Sequence, residues 1–487
     1  MLLGFFLASI AHSERPNLIV FIADDIGWDD YGCYGNPAAR TPNIDSLAKK
    51  GRRYSQAFLT ASSCSPSRSS IITGRYPHNL GPAAELHLSV SPNIPWVSSA
   101  LRDQGYYTAL IGKNHMSVDF SAGKPPFPKR WDLVDQGRVP ENSGLESKWV
   151  ETLRQRPKDR PFFFWLAAAD AHRGWDGDLQ WNETLYGPMH RPEDVIVPPY
   201  LSDDATTRKD LASYYNEVTR FDYFVGQMMS ALQSESLLEN TLVLVLADNG
   251  RPFPRAKTRL HDSGMKTALV AHWPAQLKSP GLSCESLVSS IDIAPTLLDA
   301  AGAETLPSMQ GVSLAPTFSD PNATVRRHAF SEHNWHDYEA HARSVRSDGY
   351  LYIRNHRVDK TWQGPADSVA SPSHQSLLAL KEKGQLTPAQ ADVFLTPRPS
   401  EELYFTASDP LQLNNLATAP EHSDARARLA HLLDTWMRET SDAIPDDLTP
   451  DGYDRATGKP FHKGPPIRGS WPGKPLSAHL ENRPGPR

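Results

Sequence analysis

Two stretches decide the reading of this chain. Asn17-Leu-Ile-Val-Phe-Ile-Ala23 runs into Asp24-Asp25, and Thr241-Leu-Val-Leu-Val-Leu246 runs into Ala247-Asp248-Asn249-Gly250. Each is a continuous apolar run rich in β-branched residues rather than an alternating one, which suits a strand covered on both faces. Three more such runs occur at 107–111 (YTALI), 162–166 (FFFWL) and 267–272 (TALVAH). Amphipathic helical patterns lie between and beyond them, at 42–50, 210–232 and 289–301. This alternation predicts an α/β fold with a large, mostly parallel central sheet flanked by helices.

The residues just past the strands carry chemistry. Besides the two acidic ends, the 107–111 strand leads to Gly112-Lys113-Asn114-His115, and the 162–166 strand leads to Asp170-Ala171-His172-Arg173. Ligands of open parallel sheets bind beyond the carboxyl ends of the strands. Four strands therefore send acids, an amide, a lysine and two histidines to one edge. Asp24, Asp25, Asp248 and Asn249 form an all-oxygen donor set, which suits Ca²⁺ or Mg²⁺ better than zinc. An Asp after a strand is equally able to cap the next helix.

Composition narrows the classes. The 487 residues carry 50 basic and 56 acidic side chains, a net charge of −6, which argues against a nucleic-acid binder. Three cysteines exclude a disulfide scaffold and leave open a bridge between Cys33 and Cys284. Leu2-Leu-Gly-Phe-Phe-Leu-Ala-Ser-Ile10 is too short to span a bilayer and reads, within 1–13, as a signal peptide, so a periplasmic or secreted location is expected. No other stretch approaches membrane-spanning length. A catalytic domain is expected over 14–335 and a smaller α+β subdomain over 336–445. The Pro/Gly-rich 446–487 reads as a surface tail.

Ser62-Ser-Cys64-Ser-Pro-Ser-Arg68-Ser-Ser-Ile-Ile-Thr-Gly74 reads as a loop opening a short helix, with Pro66 in the first turn and Gly74 as the stop. Cys64 at the helix N-terminus, with Arg68 one turn on, is expected to have a lowered thiol pKa. A small buried cysteine without a role is the common alternative.

Cys64-Ser-Pro66-Ser-Arg68, continued by Thr73-Gly-Arg-Tyr-Pro77, resembles the Cys-x-Pro-x-Arg signature of the type I sulfatases, and Gly112-Lys113-Asn114-His115 resembles their second signature. The resemblance runs from about residue 17 to 440. It implies an alkaline-phosphatase-like α/β sandwich, and Cys64 oxidised by a formylglycine-generating enzyme. The hydrate of formylglycine would be bound to Ca²⁺ with Asp24, Asp25, Asp248 and Asn249. Its hydroxyl would attack sulfur, and its second hydroxyl would then eliminate sulfate. By the same likeness Arg68 holds the hydrate, His115 takes its proton, Lys113 and Lys257 clamp sulfate oxygens, and His172 assists the leaving group. Arg255 and Arg259 compete with Lys257 for its place, with two of the three as surface cations.

Within that family the chain is most similar to heparan N-sulfatase (sulfamidase) and its bacterial relatives. The likeness rests on Ser62-Ser-Cys64, Asp170-Ala-His172-Arg173 and Asp248-Asn-Gly-Arg-Pro252-Phe-Pro254. It implies a sulfated sugar or oligosaccharide as substrate, with Asp170 and Arg173 beside the sugar. His87, Glu332 and His333 are weaker candidates for the pocket wall. O-sulfate esters of an algal polysaccharide such as ulvan are the alternative substrates. A phosphonate or phosphate monoester hydrolase of the same superfamily is a further one.

Overall fold

The computed structural model describes residues 15–116, 130–137, 144–175, 178–461, 464 and 467–487; the expected signal peptide lies outside them. The first strands in chain order are β1 (Asn17–Ala23), β2 (Arg52–Tyr54), β3 (Ala57–Phe58), β4 (Tyr107–Gly112) and β5 (Leu133–Asp135). They are followed by β6 (Phe162–Ala167), β7 (Thr241–Ala247), β8 (Leu269–His272), β9 (Ser283–Cys284) and β10 (Val288–Ser289). Eight of them form one sheet in the order β5-β4-β6-β1-β7-β8-β2-β9, while β3 and β10 pair separately.

The five strands from β5 to β7 in that order run parallel. β8 is antiparallel to both β7 and β2. All seven residues of β1 are buried, because Ile19 and Phe21 pack into the core on one face and Leu18, Val20 and Ile22 into the core on the other. That two-sided burial is why the run shows no polar alternation. The first core is closed by the long Ala205–Ser234 helix, whose N-cap Asp204 accepts from the Thr207 amide.

A second, antiparallel sheet comes next in the chain, in the order β11 (Ala329–His336), β12 (Tyr338–Ser347), β13 (Tyr350–Asn355) and β14 (Glu401–Phe405). The Ser423–Glu439 helix covers it, packing Leu429, Leu433 and Trp436 on Phe330, Val345, Tyr352 and Leu403. β11 begins ahead of the boundary expected at residue 336. Its polar sequence Ser331-Glu-His-Asn334 hides a buried strand, because most of those side chains find buried partners.

Among the described residues of 446–487, the stretch 478–483 is tied down rather than lying loose on the surface. Arg75 donates to Asn482 Oδ1 (2.7 Å) and to the Glu481 carbonyl (2.6 Å), and Asn79 Nδ2 donates to the Ala478 carbonyl (2.6 Å). Gln310 donates to the Arg483 carbonyl, and Ala478 is fully buried. Irregular backbone has no periodicity to read, but its carbonyls here are satisfied by buried side chains of the catalytic domain. All three cysteines are free. Among the described residues no helix is long and apolar enough to cross a membrane.

Candidate active site

Parallel pairing places the carboxyl ends of β1, β4, β6 and β7 side by side, and the Cys64–Thr73 helix points its first residue at them. All ten residues of that helix are buried, and it ends on Gly74 at φ 68°, a left-handed cap that costs a glycine little. Cys64 Sγ lies 4.0 Å from Asp24 Oδ1, 3.9 Å from Asp25 Oδ1 and 3.7 Å from Asn249 Nδ2. Arg68, one turn on, donates from Nε to Asp248 Oδ2 (2.6 Å) and from an NH to the Lys113 carbonyl (3.1 Å). The Lys113 amino group lies on Asp24.

Lys257 Nζ donates to Asp25 Oδ2 at 2.7 Å and to Asp367 Oδ2 at 3.2 Å. Arg255 and Arg259 instead face Asp392. Neither is a surface cation: both are buried, and they clamp the Leu411, Gln412 and Trp362 carbonyls. His172 is half-buried, with Nε2 about equally far from Asp25 (4.0 Å) and Asp367 (3.9 Å). His115 Nε2 lies 2.6 Å from His87 Nδ1.

Burial outweighs the neighbouring charges at Asp25, Asp248 and Cys64, whereas Lys113 and Arg68 hold Asp24 well below the usual carboxylate range. Burial raises the Asp25 carboxyl to about 7 and the Asp248 carboxyl to about 6, despite nearby Lys257 and Arg68. It pushes the Cys64 thiol up to about 12 against the pull of Lys113 and Lys257. The expectation of a lowered thiol pKa is therefore corrected: losing water costs the thiolate more than the helix N-terminus and two lysines return. Burial also keeps the rings of His115 and His87 neutral, the latter lowered to about 4.

The donor set fits a hard divalent cation. Three buried carboxylates and an amide converge there, and among the described residues Asn249 Oδ1 is buried without a hydrogen-bond partner while Nδ2 faces the carboxylates. The two ends of the amide are nearly equal in size, and a half-turn presents the oxygen. Asp24, Cys64 and Asp248 offer ligand atoms all within 4.8 Å of one another.

Four expected pocket residues lie elsewhere. Asp170 is wholly buried in a two-pronged pair with Arg220, at 2.8 Å on both arms. Arg173 is committed to Asp210 (2.9 Å on both arms) and to the Pro252 carbonyl, with Phe253 4.5 Å beneath its guanidinium. The Pro252-Phe-Pro254 motif thus braces one loop against another. Glu332 holds His78 and Asn334 in the interior, and His333 is buried against Tyr338 and Trp362. Only His87 of the weaker candidates reaches the site.

Asp367, Trp335 and Asp337 also border the site, and no motif in the sequence points to them. Asp367 sits on the short Ala366–Val369 helix with no strand before it, so no local pattern marks it. Trp335 and Asp337 belong to the aromatic, His-rich 331–355 segment, whose composition was the available signal.

Buried oxygen ligands, a ring of fixed cations and a residue at a helix N-terminus on the sheet edge define a hydrolase for a tetrahedral anion. Similarity to known proteins makes this specific. Residues 16–303 match the family model described as Sulfatase, and residues 255–370 match that described as N-sulphoglucosamine sulphohydrolase, C-terminal. The chain belongs to the sulfatase family and is a hydrolase of sulfuric esters or sulfamates. It is 29% identical to the N-sulphoglucosamine sulphohydrolase of Homo sapiens over 90% of this chain and 93% of that one. It is also 29% identical to an ulvan-active sulfatase of Formosa agariphila, over 88% of this chain and 76% of the relative. A solved structure of a protein in complex with its substrate D-glucosamine-2-N,6-O-disulfate shares the fold, with a TM-score of 0.65 at 17% identity, over 87% of this chain and 98% of that chain.

Proposed function

We propose that this sulfatase releases sulfate from a sulfated sugar, with the sulfamate of N-sulfoglucosamine as its preferred target. The observation that carries the reading is the convergence on residue 64 of three buried carboxylates with Arg68, Lys113 and Lys257. Similarity to the human sulphohydrolase along nearly both whole chains supports the sulfamate.

Calcium, held by Asp24, Asp25, Asp248 and Asn249, would supply the charge that polarises the sulfate and the hydroxyl of residue 64. A formylglycine-generating enzyme would convert Cys64, whose own thiol, raised to about 12, is a poor nucleophile at neutral pH. Arg68, fixed by Asp248, keeps a permanent cation under residue 64. Lys113, on Asp24, and Lys257, on Asp25, would hold sulfate oxygens as negative charge builds on them. His172 is open enough to deliver a proton to the leaving nitrogen or oxygen. His115, neutral through burial, can accept the proton of the residue 64 hydroxyl. Export to the periplasm or medium completes the reading, on the strength of the apolar run within 1–13.

The second reading is an O-sulfatase of an algal polysaccharide, favoured by the equal identity to an ulvan-active sulfatase. Sulfate release from matched N-sulfated and 6-O-sulfated glucosamine, after co-expression with a formylglycine-generating enzyme, separates the two. Preference for the N-sulfated sugar supports the sulfamidase reading, and release from the ester alone overturns it.

A further inference from the structure

A cavity of about 210 Å³ is lined by His87 and Trp335, and the C-terminal segment builds one of its walls. Its lining also includes Asp337, Ala366, Asp451 and Tyr453. Two contacts tie it to the reaction centre. Trp335 packs with Cys64 and Leu86, and His87 is hydrogen-bonded to His115. The wall is firmly held: the Trp335 indole donates to the Pro450 carbonyl (2.8 Å), and the Gly452 amide donates to the Asp337 carbonyl (2.7 Å).

Among the described residues, the charges around this cavity are paired, with one exception. Asp451 is gripped by Arg455 (2.7 and 2.8 Å), Arg468 pairs with Glu85 (3.3 Å), and Asp367 pairs with Lys257 (3.2 Å). Asp337 has no Lys or Arg within ion-pair distance among the described residues. Its Oδ2 accepts from the Ala366 amide (3.1 Å), and its Oδ1 accepts no hydrogen bond there. The one imidazole near it, His336, lies 4.0 Å away and spends Nδ1 on the Ser63 hydroxyl. The side chain keeps 29% exposure, so the carboxylate is open to a ligand.

We propose that Asp337 is a specificity residue, taking hydroxyl donors of the sulfated sugar on the wall completed by residues 450–453 and disfavouring sugars that carry a carboxylate there. This rests on the reading of a sugar sulfatase and deepens it. The floor of the site is cationic and takes sulfate; the wall is anionic and takes the rest of the residue that carries it. A uronate brought beside Asp337 and Asp367 meets like charge in a partly enclosed space, whereas a hydroxyl gains a charge-assisted hydrogen bond.

The test is calorimetric binding of D-glucose and D-glucuronate to the matured full chain and to Asp337→Asn, with inorganic sulfate saturating the cationic floor. The two sugars differ only in hydroxyl against carboxylate at C6. Asn retains the acceptor for the Ala366 amide and tolerates the left-handed backbone of position 337, φ 62°. The wild type is expected to bind glucose roughly tenfold more tightly than glucuronate, the factor a single charge-assisted hydrogen bond provides. In Asp337→Asn the two constants should converge to within about twofold. Equal binding in the wild type, binding of neither sugar, or an unchanged ratio in the variant overturns the subsite. Sulfate release from a sulfated sugar, measured separately, reports on the underlying reading, so either can fail alone.

Discussion

Lys257 Nζ stands 2.7 Å from Asp25 Oδ2, linking the loop after β7 to the end of β1 across 232 residues of chain. Burial opposes its charge, yet Asp25 and Asp367 hold the amino group well above the usual lysine range. A permanent cation is thereby fixed where a transferring sulfate would build charge. Lys257→Ala is expected to lower kcat by about 10²–10³-fold, the cost of removing one preorganised donor. Arg259→Ala, by contrast, should lower thermal stability while leaving a larger share of kcat. Equal losses of kcat in the two would remove the distinction.

Residue 64 should resist thiol chemistry. Purified, matured protein is expected to show the mass change from thiol to aldehyde at residue 64 and little labelling by iodoacetamide at neutral pH. Cys64→Ala should release no sulfate. Sulfate release by Cys64→Ala at the wild-type rate would rule out nucleophilic catalysis here.

The oxygen cluster should answer to metal by stability as well as by activity. A cation that binds only the folded chain adds about 2.7 kcal/mol at a hundredfold excess over its dissociation constant. Calcium should therefore raise Tm in chelator-stripped protein, and Asp248→Ala should abolish the rise. A rise that survives in Asp248→Ala would assign the ion to another place.

Asp170 and Arg220 form a buried structural pair, so Asp170→Ala is expected to cost about 3 kcal/mol of stability through loss of the guanidinium's two-pronged partner, with Glu217 left 3.6 Å away. Denaturant unfolding reads this directly. Selectivity between N- and O-sulfated glucosamine should stay as in the wild type, and a changed selectivity would return Asp170 to the substrate wall.

His333 makes a pH prediction. Its ring nitrogens have no hydrogen-bond partner among the described residues, and burial lowers it to about 3. Its native state is neutral, so its contribution is intact above the unfolded value near 6.5 and is lost as pH falls from there toward about 3. At pH 5 the penalty is about 2 kcal/mol. His333→Phe, which keeps the ring packing on Tyr338 and Trp362, should gain Tm at pH 5 and less at pH 8. Equal gains at both pH values would show that the ring does not titrate this way.

Much of the site was legible because its parts are local. A strand covered on both faces shows as an unbroken apolar run, and the residues after each parallel strand must emerge at one edge. Asp24, Asp25, Lys113, His115, His172, Asp248 and Asn249 were therefore readable from position alone. The helix opened by Cys64 was marked by Pro66 and Gly74, the start and stop its backbone needs. The family signature then assigned expected roles that spacing could not.

Tertiary structure decided what no local pattern encodes. Lys257 was separated from Arg255 and Arg259 only by which acid each side chain meets, Asp25 or Asp392. Asp170 and Arg173 looked like ligand residues but were claimed by Arg220 and Asp210 on the Ala205–Ser234 helix. The Cys64 pKa reversed because desolvation is a property of the assembled interior. The acidic wall at Asp337 depends on a C-terminal segment whose irregular backbone carries no period to read. Strand and helix patterns are set by neighbours along the chain, whereas the partner of a buried charge is set by packing between segments far apart in it.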